Sequence, residues 1–197
     1  MTHDAAPAHG GASRLRRPVA LVGLMGCGKS TVGLRLAALI DAPFKDADAE
    51  IEAAAGMSVP EIFANLGEAA FRDGEKRVIA RLLSEPAMVI ATGGGAFMAA
   101  QTRAAISAAG AAIWLHADLE TLVERTAKRR SRPLLNAGDP RAVLSGLMAA
   151  RYDTYALAEL RVESPRGGKA EEVAQAVLAA IRAHDETTPP ERRLLEA

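Results

Sequence analysis

The sequence predicts an α/β fold, a parallel sheet covered by helices on both faces. Two observations lead there. Short, continuously apolar runs alternate with longer stretches of helical periodicity through most of the 197 residues, the pattern of strands buried on both sides. A glycine-rich turn also joins the first apolar run to the first helical stretch, as in a strand–loop–helix unit.

The elements follow in order. Val19–Leu24 (VALVGL) is a strand, then a glycine loop, then a helix from about Lys29 to Ile40. Ala42–Lys45 is a short second strand. Ala47–Ala55 and Val59–Asn65 are short helices separated by Gly56, and Glu68–Ser84 is a longer one. Ala87–Ala91 (AMVIA) is a strand running into three glycines, followed by a helix over Phe97–Ala108. Ala111–His116 (AAIWLH) is a strand and Leu119–Lys128 a helix. A basic, proline-containing loop spans Arg129–Gly138. A long helix over Arg141–Leu160, a weak strand at Arg161–Glu163 and a last helix over Ala170–Ala183 complete the core. Residues 1–17 carry almost no large apolar side chains and are expected to be a mobile tail. Residues 185–197 are read the same way, since Pro189 and Pro190 stop a helix there.

Composition narrows the function. Lys plus Arg and Asp plus Glu both number 24, so the net charge is zero. A general nucleic-acid binder or a polybasic membrane protein is normally lopsided. A single cysteine excludes an internal disulfide, and no Cys/His group has zinc spacing. No apolar run reaches the length of a membrane span, and the first residues lack the apolar stretch of a secretory signal. A cytoplasmic location without nucleic-acid or membrane partners is expected.

The strongest signal is Gly23-Leu24-Met25-Gly26-Cys27-Gly28-Lys29-Ser30, followed by Thr31. It fits G-x-x-x-x-G-K-[ST] in the right context, after an apolar strand and before a helix. Glycines let consecutive backbone N–H groups point at phosphate oxygens, and the positive end of the new helix adds to that field. Gly26, Cys27, Gly28, Lys29, Ser30 and Thr31 are therefore expected to hold ATP, with Lys29 on the β/γ-phosphates and the Ser30 hydroxyl on Mg²⁺. At Cys27 the backbone N–H is expected to matter more than the thiol. Neither asparagine, Asn65 or Asn136, precedes lysine, so the Asn-Lys-x-Asp segment of a GTPase is missing. A compact small-molecule kinase is left, or a nucleotide-dependent regulatory protein.

Asp46 and Asp48 follow the second strand, where a parallel sheet presents its ligand edge. One carboxylate there can hold Mg²⁺ and the other can accept a substrate hydroxyl's hydrogen bond and proton; either can also cap the next helix. Asp118 lies after another strand but is read as the cap of the helix at Leu119. Thr92-Gly93-Gly94-Gly95 ends the strand AMVIA and permits close approach of a ligand.

Taken together, GLMGCGKST, FKDAD, GEAAFRDGE, ATGGG, RPLL and the R-Y-x-x-Y segment, in this order over residues 18–183, resemble bacterial shikimate kinases, P-loop enzymes of the nucleoside-monophosphate-kinase-like fold. The resemblance implies five parallel strands in order 2-3-1-4-5, a small substrate-binding region near residues 46–75 and a lid near 127–138, within a kinase domain of residues 18–184. It implies transfer of the ATP γ-phosphate to the 3-hydroxyl of shikimate by a monomer, on the route to aromatic amino acids. It assigns Asp46, with Ser30, to Mg²⁺ and Asp48 to the shikimate hydroxyls. Arg72 and Arg151 fall to the substrate carboxylate, with Gly93, Gly94 and Gly95 beside the substrate. Arg132 is the lid arginine on the ATP phosphates and Arg125 packs on adenine, with Arg166 a stand-in for a further base contact. Lys29, Asp48 and Arg132 form the catalytic set. The chemistry agrees: arginine forks suit a carboxylate and aspartate suits hydroxyls. A different small-molecule kinase on this fold, for gluconate or a nucleoside monophosphate, is the competing reading, and gluconate also has a carboxylate and hydroxyls.

Overall fold

The computed structural model describes residues 14–127 and 139–196. Five parallel strands, β1 (Val19–Val22), β2 (Phe44–Asp46), β3 (Val89–Ala91), β4 (Ala111–His116) and β5 (Leu160–Glu163), form one sheet in the order β2-β3-β1-β4-β5. Every residue of β1 and β3 is buried, at odd and even positions alike. Strand neighbours point to opposite faces, so helices must cover both. β2 and β5 are the edges and are only partly buried.

The helices are α1 (Lys29–Leu39), α2 (Ala47–Ala55), α3 (Val59–Ser84), α4 (Ala100–Ala109), α5 (Leu119–Ala127), α6 (Pro140–Tyr155) and α7 (Ala170–Thr187). α1 packs on α7, α3 on α4, and α5 on α6. The two helices expected before and after residue 67 form α3, which breaks at Gly67, where φ 80° and ψ 170° are not helical. Ser58 and Glu61 form a reciprocal capping box that starts α3. A satellite core of Ile51, Ile62, Phe71, Val78, Leu82, Met88 and Ile90 ties α2 and α3 to β3. The substrate-binding region expected from the resemblance therefore has apolar support of its own.

Some boundaries differ from expectation. The segment after the glycine triplet is a 3₁₀ turn (Ala96–Met98) before α4 begins. α6 ends at Tyr155 rather than near Leu160, because the chain must turn to enter β5. The larger differences lie at the ends. Residues 185–196, which composition reads as a tail, are packed. The buried Asp185 carboxylate accepts the amides of Leu194 (2.9 Å) and Leu195 (2.8 Å), and both leucines are buried. Residues 14–17 join them. Leu15 bridges Leu195, the Arg16 amide donates to the Leu194 carbonyl at 2.7 Å, and the Arg17 guanidinium caps α4 by donating to the carbonyls of Ala108 and Ala109. Two leucines and a buried acceptor suffice to hold a segment that looks polar on average. The expected lid, with Arg132, falls outside the described residues apart from Ala127, the last residue of α5.

Candidate active site

The C-terminal ends of β1, β2 and β3 carry the site, as expected for an open parallel sheet. The loop after β1 opens onto a cleft of about 390 Å³ lined by Gly26, Gly28, Lys29, Ser30, Thr31, Arg125 and Ser164, among others. Gly28 caps α1 at φ 101°, a conformation that disfavours any side chain. The Lys29 ammonium lies inside the loop and donates to the carbonyls of Gly23 (2.8 Å) and Leu24 (3.0 Å).

Cys27 is buried, and its amide donates within the loop to the Leu24 carbonyl at 3.2 Å. The part it plays is that of an acceptor. Its carbonyl takes a hydrogen bond from the Ser164 hydroxyl at 2.9 Å.

Asp46 has two partners. One carboxylate oxygen caps α2 by accepting the Asp48 amide at 3.0 Å; the other accepts the Ser30 hydroxyl at 2.6 Å. The capping and metal readings of Asp46 are thus compatible. Ser30 and Asp46 bring hard oxygens together at the rim of the phosphate loop, a donor set suited to Mg²⁺. Among the described residues no group of three His, Cys, Asp or Glu could hold a metal alone.

A second, smaller cleft of about 280 Å³ is lined by Arg72, Glu75, Gly95 and Arg151, with Glu68 and Lys76 at its margin. Arg72 projects from α3, next to the buried Phe71, and lies over that ring at 5.1 Å. Its guanidinium donates to Glu75 at 2.7 Å and more loosely to the exposed Glu68 at 3.3 Å. Glu75 is 2% exposed. Burial pushes its carboxyl above the ordinary value, and the Arg72 guanidinium opposes that only in part. Burial works against the charge on Arg72 as well, but Glu75 and Glu68 outweigh it and hold the guanidinium firmly protonated.

The glycine triplet follows β3, and its last member lines the smaller cleft. Thr92 anchors it, since its amide and its hydroxyl both donate to the Leu21 carbonyl of β1 (3.1 and 2.9 Å). A Cβ on Gly93 would lie 2.5 Å from Glu75 and 2.8 Å from Asp48, and one on Gly95 would lie 2.5 Å from Arg72. These two glycines exist because the site's side chains pass directly over them. The Gly94 carbonyl accepts from Arg151 at 3.1 Å and from the Tyr155 hydroxyl, both on α6. Burial pushes the Tyr155 phenol far above its ordinary range, which keeps it a donor.

Arg125, at the end of α5, borders the phosphate-loop cleft and donates to the Ser164 hydroxyl (2.8 Å) and the Pro165 carbonyl (2.7 Å). Arg166 pairs instead with Glu124 at 2.8 Å and is not part of the cleft lining. Asp118 caps α5 by accepting the Thr121 amide at 2.7 Å, as expected. Sequence reasoning gave no role of their own to Glu75, Tyr155 and Ser164. The spacing of Arg72 to Glu75 on one helix was the available signal for the first.

A family model described as shikimate kinase matches residues 25–182. Shikimate kinases of Paramagnetospirillum magneticum and Brucella canis are 58% and 53% identical to the chain. The matches cover 77% and 84% of it, and 77% and 82% of their own lengths. The solved structure of an Acinetobacter baumannii shikimate kinase in complex with shikimate is 37% identical with a TM-score of 0.81, covering 85% of this chain and 94% of that one. The chain belongs to the shikimate kinase family.

Proposed function

We infer that the protein transfers the γ-phosphoryl group of ATP to the 3-hydroxyl of shikimate, releasing ADP and 3-phosphoshikimate. The observation that supports this most directly is the position of Gly94. A Cβ placed there would lie 3.7 Å from the Gly23 carbonyl and the Met25 amide of the phosphate loop, and 3.9 Å from Arg151. One glycine thus separates the phosphate loop from an arginine that lines the smaller cleft, a closeness that direct transfer between two bound substrates requires. The smaller cleft suits a compact ring rather than a second nucleotide.

Within this reading Arg72 and Arg151 take the shikimate carboxylate. Arg72 is held by the buried Glu75, and its contact with the exposed Glu68 is weak enough to be exchanged for substrate. Asp48 accepts the hydrogen bond of the 3-hydroxyl and takes its proton as the new P–O bond forms. A loose transition state demands little early deprotonation. Lys29 and the loop amides balance charge on the phosphates, and Arg125 flanks the base. Ser30 and Asp46 would hold Mg²⁺, which when bound neutralises charge on the β- and γ-phosphates. Arg132, outside the described residues, is assigned the same task from the lid. The enzyme acts as a monomer in the cytoplasm.

A coupled ADP-release assay with purified protein tests the reading. Magnesium-dependent turnover with shikimate and none with gluconate is expected. Turnover with gluconate alone would reject it, and ATP binding without phosphorylation of either acceptor would favour a regulatory protein.

A further inference from the structure

We propose that Ser164 is a positioning residue for the nucleotide, locking the phosphate loop and Arg125 into one rigid unit. Ser164 follows β5 directly and is 1% exposed. Its amide donates to the His116 carbonyl at the end of β4 at 2.7 Å, so its backbone is an extension of the sheet. Its hydroxyl is used in both directions: it donates to the Cys27 carbonyl at 2.9 Å and accepts from Arg125 at 2.8 Å. A hydroxyl has one proton to give, so donation to Cys27 leaves its lone pairs for Arg125.

The consequence for the loop is geometric. In a trans peptide the carbonyl and the following N–H point in opposite directions, and no described peptide is cis. Drawing the Cys27 carbonyl toward Ser164 therefore turns the Gly28 N–H the other way. Gly28 sits at φ 101° and, without a side chain of its own, relies on its neighbours to hold that orientation. The same hydroxyl, with the Pro165 carbonyl, fixes the plane of Arg125 at the other end of the cleft. One buried oxygen thus sets the relative placement of a phosphate-facing amide and the arginine beside the base.

The proposal rests on the reading of this cleft as an ATP site. Ser164→Ala and Ser164→Thr would be compared with the full-length wild type by steady-state kinetics in both substrates and by calorimetric titration with Mg·ADP. Removing a hydrogen bond to a charged partner and orphaning a buried carbonyl should raise the KM for ATP and weaken ADP binding about tenfold. The KM for shikimate should stay within about twofold, because the acceptor cleft makes no contact with this oxygen. Ser164→Thr keeps the hydroxyl and should recover most of the loss. If Ser164→Ala does not fold, Ser164→Cys, of similar size with a poor donor, should show the same split between the two KM values. Unchanged ATP parameters, or equal rises in both KM values, would overturn the proposal while the wild type still binds nucleotide. A wild type without affinity for Mg·ADP would overturn the ATP reading and this proposal with it.

Discussion

Replacing Gly95 by alanine should cost the protein its acceptor and little else. Gly95 has φ −101° and ψ −15°, a conformation open to any L-residue, so the backbone has no reason to move. The added Cβ would sit 2.5 Å from the Arg72 Nη1 and 2.6 Å from its Cζ and Nη2. Ordinary contact begins near 3.4 Å, so the guanidinium must retreat by about 0.9 Å. Only the end of a long side chain has to shift, since Arg72 is carried on a helix anchored by the buried Phe71. The fold should therefore lose no more than about 1 kcal/mol. The function should lose more. The retreat strains the 2.7 Å contact with Glu75 and, in the role proposed for Arg72, withdraws a charged donor from the substrate carboxylate. One charge-assisted hydrogen bond is worth about 1.5–3 kcal/mol, or roughly a 10- to 100-fold rise in the KM for shikimate. The KM for ATP should stay within about twofold. Initial-rate kinetics with each substrate varied, beside a thermal melt, would decide it. An unchanged shikimate KM in a folded variant would refute the placement of Arg72, and a parallel rise in both KM values would point to general damage.

Three other substitutions probe other parts of the molecule. Lys29→Ala should lower kcat by about a hundredfold or more with an unchanged circular dichroism spectrum, since its ammonium lies within the phosphate loop; near-normal turnover would remove it from the mechanism. Glu75→Gln should alter how stability depends on pH. Burial raises the folded-state value of Glu75 above the ordinary 4.5. The wild type should therefore lose stability, relative to the glutamine variant, as pH rises from that ordinary value through the raised one. Urea midpoints measured across this window should diverge, and parallel curves would mean Glu75 is not held in a raised state. Asp185→Ala strips the acceptor from two buried amides and should cost about 2–3 kcal/mol, seen as a fall in Tm of several degrees. Turnover at 25 °C should be preserved, because the segment lies outside both clefts.

Much of this site can be read from the chain because its chemistry is local. The phosphate loop, Asp46, Asp48 and the glycine triplet each occupy a few consecutive residues at a strand end, where spacing alone fixes geometry. What escapes such reading depends on contacts between distant segments. Ser164 matters through Cys27, 137 residues away, and through Arg125, 39 residues away. Tyr155 matters through the Gly94 carbonyl, 61 residues away. Cys27 shows the limit within the motif itself: the pattern says that an amide is present but not which way it turns. Glu75 lies between these cases, since helical spacing pairs it with Arg72 while only the fold reveals its burial. The closing segment fails for another reason. Average composition hides two leucines, and the partner that makes them count is Asp185, at the end of the preceding helix.

The pairing of the first and last described segments makes the backbone nearly a closed ring. The Glu196 amide donates to the Arg14 carbonyl at 2.9 Å, and this junction lies ahead of β1, whereas the phosphate loop begins after that strand. A few flexible residues could join Glu196 directly to Arg14. The chain could then be cut open at a different surface turn as a circular permutant, without the seam approaching either substrate.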